Sequence, residues 1–114
     1  MPGFFYIKQT HSTNALLWEM MRKNFPSEGF VIRTDSQTAG KGQSGNSWEA
    51  ETGKNLLFSM VLYPDHLKPD EQFLISQLVS VAIKKTLDQF TDDITVKWPN
   101  DIYWKDKKLA GILI

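Results

Sequence analysis

Two clusters of residues in this 114-residue chain have types and spacing that could do chemistry, the first of them as a site for an anion. The first is Thr34 to Trp48, TDSQTAGKGQSGNSW, a polar stretch between the apolar runs FVIR and NLLFSMVLY. Gly40, Gly42 and Gly45 let the backbone take positive φ and come close to a ligand. Closely spaced N–H groups in such a loop can bind an anion. A long polar loop between sheet elements is usually functional or disordered, and glycines alone do not decide which. The second cluster is residues 96–113, VKWPNDIYWKDKKLAGIL. Pro99 fixes the backbone and aims Asn100 and Asp101. The same residues are compatible with an Asx-turn closing the bend. Lys108, judged by residue type alone, reads as a solvated hairpin lysine.

Composition narrows the classes. A chain of this length is one domain or a piece of one, and it can bury roughly two thirds of its unfolded surface. Thirteen basic and thirteen acidic residues balance, which argues against a nucleic-acid-binding face. With no cysteine, disulfides, metal thiolates and a cysteine nucleophile are excluded, and a cytoplasmic location is expected. No apolar run approaches the ~20 residues of a membrane span, and no signal-peptide pattern opens the chain. His11 and His66 share no metal-ligand spacing.

The elements that must position these clusters follow from pattern. Phe4 to Lys8 reads as a strand. Ser12 or Thr13 caps a helix from Asn14, with Leu16, Leu17, Met20, Met21 and Phe25 on one stripe and Pro26 stopping it. Phe30 to Arg33 is a strand. Asn55 to Tyr63 is another, too apolar to be exposed on both faces. Pro69, Asp70 and Glu71 start the longest helix, 69–90. Its expected inner face is Phe73, Leu74, Gln77, Leu78, Val81, Ala82, Lys85 and Phe90. Ile94 to Trp98 is a strand. Ile102 to Trp104 and Leu109 to Ile114 form a hairpin around the turn Lys105 to Lys108. The order βαβ–β–α–β–ββ implies an α/β (α+β) fold, a mixed sheet with helices on one side.

Four segments together resemble the biotin–protein ligases. They are Ser12-Thr13-Asn14, the glycine loop Gly40 to Trp48, Lys97-Trp98-Pro99-Asn100-Asp101, and Lys108-Leu109-Ala110-Gly111-Ile112. Their order and spacing agree over nearly the whole chain. KWPND followed by KLAGIL is the specific part, and the glycine loop is the weaker match. The resemblance implies a biotin–lipoate ligase fold related to class II aminoacyl-tRNA synthetases. It implies that the chain is the N-terminal part of that catalytic domain, 1–114, without the downstream half or C-terminal barrel. It also implies the type that lacks the family's DNA-binding helix-turn-helix.

The implied activity is ATP-dependent ligation of biotin to a lysine of a biotin carboxyl carrier domain through biotinyl-5′-AMP. Lys108 would bind the biotin carboxylate and then the adenylate phosphate, and Asp101 would orient the acceptor amine. Ser12, Thr13, Asn14 and Gln37 would line the biotin pocket. Residue type alone makes the triplet a plain helix cap. Gly40, Lys41, Gly42 and Gln43 would hold phosphate, with the backbone amides of Lys41, Gly42 and Gln43 contributing. Lys41 stands where the family usually has arginine, and keeps the charge without the bidentate fork. Gln43 and Ser44 replace residues that are arginine in some members. Trp48 would lie by the adenylate or else anchor the loop exit. Asn100 would contact ATP, through Mg2+, and Gly111 would lie under the biotin. Lys97 and Trp98 are expected to be structural, with Trp98 in the core. No dedicated protein metal site, nucleic acid or membrane is expected. Association through sheet edges, as a homodimer or an aggregate, is expected of a chain cut at Ile114, and so is loss of ligase activity. Two other readings stand beside this one: a lipoate or octanoyl ligase or transferase of the same fold, and a non-catalytic binding module.

Overall fold

The computed structural model describes residues 3–114. The chain forms two compact units, divided between Pro64 and Asp65.

In the first unit, β1 (Phe4–Thr10), α1 (Thr13–Lys23), β2 (Val31–Gln37) and β3 (Leu57–Met60) follow in order. β1 pairs parallel with β2, and β2 pairs antiparallel with β3, giving a mixed three-stranded sheet. Ser12 caps α1, its Oγ accepting from the Ala15 N–H at 3.0 Å, so Thr13 is helical and not the cap. The helix ends at Lys23, before Pro26. α1 packs on β2 and β3. Leu17, Ile32 and Val61 form the core, with Leu16, Met20, Met21, Phe30 and Tyr63 around them. Phe25 does not join this stripe: it lies beyond the helix, 80% exposed, edge-on to Tyr63.

Two strands differ from expectation for one reason: polar residues point inward. β2 continues past Arg33 to Gln37, because its polar half keeps its ladder with β1 as far as Thr10↔Gln37. Thr34 is buried there, and its Oγ1 donates to the Ser36 carbonyl at 3.1 Å. β3 is shorter than the apolar run suggests. Leu57 and Ser59 are buried, while Phe58 and Met60 are exposed. The strand therefore has one buried and one solvent face, in keeping with an apolar run not exposed on both.

The second unit has a 3-10 turn, Pro69–Glu71, then α2 (Phe73–Leu87), β4 (Ile94–Lys97), β5 (Asp101–Trp104) and β6 (Lys107–Gly111). The three strands form an antiparallel meander. The six strands thus divide into two sheets, where the element order alone read as one. Ile94, Ile102 and Ile112 make the core with Val79, Ile83 and Leu87 of α2. The helix buries Ser76 and Ser80, and Leu74, Leu78 and Val81 face solvent, the reverse of the expected face. α2 is apolar on most of its circumference, so periodicity could not select the inner stripe. Small serines there let the helix approach the sheet closely, since interaxial distance depends on the side chains at the contact. Trp98 is 48% exposed and packs edge-on to Phe73, not in the core. Among the described residues no helix is long and apolar enough to cross a membrane.

Candidate active site

In the first unit the N-terminus of α1, the end of β2 and the middle of β3 meet through buried polar side chains. Gln37 Oε1 accepts from the Thr13 N–H at 2.9 Å and lies 3.3 Å from Thr13 Oγ1. Thr13 Oγ1 is 2.7 Å from Ser59 Oγ, and the Ser59 hydroxyl donates to Asn14 Oδ1. Ser12, Thr13 and Ser59 are buried, and Asn14 and Gln37 are half-buried. Buried polar groups of this kind need partners. These have them, and the cluster brings Ser12, Thr13, Asn14 and Gln37 together as expected of a pocket. Ser59 had not been singled out in the sequence. The signal was a lone serine within LLFSMVLY, whose neighbours alternate in and out.

The glycine loop begins beside this cluster. The Ala39 N–H donates to His11 O at 2.7 Å and the Trp48 N–H to Gly40 O at 2.9 Å. Lys41 pairs with Ser47 in an antiparallel bridge, around a turn at Gln43–Gly45 with Ser44 and Gly45 at positive φ. Gly40 is buried, and a Cβ there would lie 2.4 Å from Trp48 O and 2.8 Å from Gln37 Nε2. Only glycine fits that position. Gly42 is different: a Cβ would meet nothing nearer than 3.5 Å. The Gly42 N–H donates to Asn46 O at 2.6 Å, so the amide expected to hold phosphate is already engaged. Lys41 and Gln43 are exposed and Trp48 is half-buried. An open hollow of about 430 Å³ is lined by Ala39, Gly40, Lys41, Gly45, Asn46 and Ser47.

On the outer face of the same sheet, Tyr6 donates to the Asp35 carboxylate. That hydrogen bond raises the Tyr6 pKa above its ordinary value, and Arg33 partly offsets the shift. Arg33 stacks on the Tyr6 ring at 4.8 Å and lies 3.6 Å from Asp35.

The second unit builds its site on the β5–β6 ladder. Ile102 pairs with Ala110, but Tyr103 pairs with Lys108, leaving Leu109 as an extra residue in a bulge. Strand side chains alternate between faces. Ile102, Trp104, Ala110 and Ile112 face α2. Regular pairing from Ala110 would have put Lys108 on that same apolar side. The bulge instead sets it beside Tyr103, on the outer face with Lys97, Asp101 and Gly111. Re-aiming a side chain is what bulges do next to functional sites. Lys108 Nζ lies 2.9 Å from Asp101 Oδ1. The hairpin turn is only Lys105-Asp106, with Lys105 at positive φ, so Lys107 and Lys108 belong to the strand and not to the turn. β6 ends at Gly111, short of the expected Ile114, yet the Ile112 N–H donates to Asn100 O at 2.9 Å and Asn100 Nδ2 donates to Ile112 O at 3.0 Å. The Asn100 Nδ2 therefore clamps the ladder, which leaves its Oδ1 for the expected nucleotide contact. Lys97 Nζ sits 5.4 Å from the Tyr103 ring.

Among the described residues, no group of three or more histidine, aspartate or glutamate side chains converges to hold a metal. With Asn100 clamped and Asp101 paired to Lys108, these residues do not fit a dedicated magnesium site.

Residues 6–114 match the biotin/lipoate A/B protein ligase family, and the chain belongs to it. It is 35% identical to the bifunctional ligase/repressor BirA of Bacillus subtilis over 104 residues, 90% of this chain and 31% of that protein. Among solved structures, the biotin acetyl coenzyme A carboxylase synthetase of Helicobacter pylori, with bound biotinylated ATP, superposes with a TM-score of 0.77 at 28% identity. That match covers 99% of this chain and 54% of the other. The biotin protein ligase of Aquifex aeolicus, in complex with biotin and ATP, gives a TM-score of 0.74 at 28% identity, covering 99% and 46%. The chain spans about a third of the length of the BirA relative.

Proposed function

We propose that this chain supplies the biotin pocket and the lysine–aspartate pair of an ATP-dependent biotin–protein ligase. The observation that carries the proposal is Lys108, placed by the bulge on the outer sheet face 2.9 Å from Asp101. In the first step a biotin carboxylate oxygen attacks the α-phosphorus of ATP. The bond from that phosphorus to the oxygen bridging to the β-phosphorus breaks, and pyrophosphate leaves with its electron pair. Two anions meet in this step, and Lys108 supplies fixed positive charge where negative charge develops. In the second step the neutral amine of an acceptor lysine attacks the acyl carbon of biotinyl-5′-AMP, and AMP leaves. Asp101 accepts a hydrogen bond from that amine once Lys108 turns to the adenylate. Lys41 adds a mobile cation from the glycine loop.

Thr13, Asn14, Gln37 and Ser59 supply amides and hydroxyls suited to a ureido ring. The dithiolane of lipoate has no hydrogen-bonding group for the Asn14 and Gln37 amide NH2 groups, which the bonds within the cluster do not use, and leaving such groups unpaired is costly. This favours biotin over lipoate or octanoate. A biotin carboxyl carrier domain is the acceptor. The test is biotin transfer by the protein that carries this chain to a carrier domain with its single target lysine. Labelling that needs ATP and biotin, and stops when the target lysine is replaced by arginine, is expected. A protein that binds biotin but forms neither biotinyl-AMP nor labelled carrier is a binding module, and the proposal fails.

A further inference from the structure

The hydroxyl protons at the start of α1 have few acceptors to choose from. Ser59 has one hydroxyl proton, and it is donated to Asn14 Oδ1. In the 2.7 Å contact between Thr13 Oγ1 and Ser59 Oγ, Ser59 then acts as acceptor, and the single Thr13 hydroxyl proton is shared between Ser59 Oγ and Gln37 Oε1 at 3.3 Å. The fixed direction is therefore the one from Ser59 to Asn14. Gln37 Oε1 is engaged by the Thr13 N–H. Both carboxamide oxygens are thus occupied from within the fold, and the amide NH2 groups of Asn14 and Gln37 are left as donors. Gln37 Nε2 is held beside Gly40, where a Cβ would come within 2.8 Å.

We infer that Ser59 is a positioning residue that sets the donor polarity of the pocket. Buried at 8% exposure on the inward face of β3, it locks the Asn14 carboxamide with its oxygen inward and its NH2 toward the ligand. A pocket lined by carboxamide N–H groups selects a ligand with an exposed acceptor oxygen between polar nitrogens, which is the ureido carbonyl. This inference rests on the biotin reading above and deepens it. Without Ser59 the Asn14 amide can turn over and offer its oxygen, and an acceptor then faces the ligand's acceptor.

The test is a double-mutant cycle of Ser59→Ala and Asn14→Ala in the protein that carries this chain, read as dissociation constants for biotin and for ATP. Ser59→Ala is expected to weaken biotin binding roughly tenfold, the scale of a lost hydrogen-bond partner, and to leave ATP binding unchanged. In the Asn14→Ala background it should add no further loss, because Ser59 acts through Asn14. Ser59→Thr, which keeps the hydroxyl, should restore binding. Additive losses, an equal loss for ATP, or an unchanged biotin constant would each overturn the inference. If Ser59→Ala does not fold, Ser59→Cys keeps the size and weakens the donor, and is read in the same way. A second measurement separates this inference from the functional reading: the NMR order parameter of the Asn14 side-chain amide without ligand. Order lost on removing the hydroxyl supports positioning even if the parent protein binds no biotin, in which case the functional reading alone has failed. Equal order in parent and variant overturns positioning.

Discussion

Lys108 shares a sheet face with Asp101 only because Leu109 is bulged out of the β5–β6 ladder, and the pair closes at 2.9 Å between Nζ and Oδ1. Without the bulge, the lysine would project toward Ile94, Ile102 and Ile112. The segment Lys108-Leu109-Ala110-Gly111 therefore encodes a placement as well as a set of residues. Ala110 fills the inner face, Leu109 absorbs the register shift, and Lys108 reaches the outer face.

Replacing Lys108 removes fixed charge from the adenylation step. Lys108→Ala should lower the rate of biotinyl-AMP formation by about 3–4 kcal/mol in barrier, a few orders of magnitude. Single-turnover formation of the adenylate measures it. A variant with normal pyrophosphate release contradicts the assignment.

The two loop glycines should respond differently. Gly40→Ala puts a Cβ 2.4 Å from Trp48 O and 2.8 Å from Gln37 Nε2. Overpacking of this kind costs about 1–3 kcal/mol, and displacing Gln37 should weaken biotin binding as well. Gly42→Ala meets nothing closer than 3.5 Å at a φ of −111° and should be tolerated. Thermal melting and biotin titration of both variants, compared side by side, check the contrast.

Much of the fold was legible in the sequence, and its failures share a cause. A cap at Ser12 or Thr13, the order of elements and a strand ending before Pro99 follow from local chemistry, and the structure settles the cap on Ser12 and the strand's end on Lys97. What pattern missed were inward polar residues: Thr34 extends β2, Ser59 joins the pocket, and Ser76 and Ser80 define the inner face of α2. Hydrophobic periodicity counts such residues as solvent-facing, so it turned the helix the wrong way round. Ser12, Thr13, Asn14, Gln37, Asp101 and Lys108 were singled out by motif as candidates. Their geometry was not legible, because a bulge and a hydroxyl chain depend on cross-strand register. Asn100 and Gly42 carry backbone-linking bonds that no motif reveals.

Ser80 offers a stability test apart from the site. Its hydroxyl is buried under α2 with no hydrogen-bond partner among the described residues. Removing an unsatisfied buried hydroxyl relieves a desolvation cost, so Ser80→Ala should raise stability by about 1 kcal/mol. Urea denaturation checks it. A loss of stability means the hydroxyl has a partner.

Tyr6 gives a pH-dependent signature. Its pKa is raised from 10.0 chiefly by the hydrogen bond to Asp35. The folded value exceeds the unfolded one, so the pair's contribution to stability is complete below about pH 10 and is lost as pH rises through the folded value. Asp35→Asn should bring the Tyr6 titration down toward its ordinary value. Ultraviolet titration of phenolate absorbance, with Tyr6→Phe to assign the signal, measures it.

The most direct test of the proposed activity is exchange of radiolabelled pyrophosphate into ATP by the protein that carries this chain, with biotin or lipoate as the acid. Exchange reports formation of the acyl-adenylate and needs no acceptor protein. Biotin should support rapid exchange, lipoate should not, and Lys108→Ala should reduce the biotin-dependent rate by orders of magnitude. Exchange that is absent with biotin, stronger with lipoate, or unaffected by Lys108→Ala would contradict the function proposed for this chain.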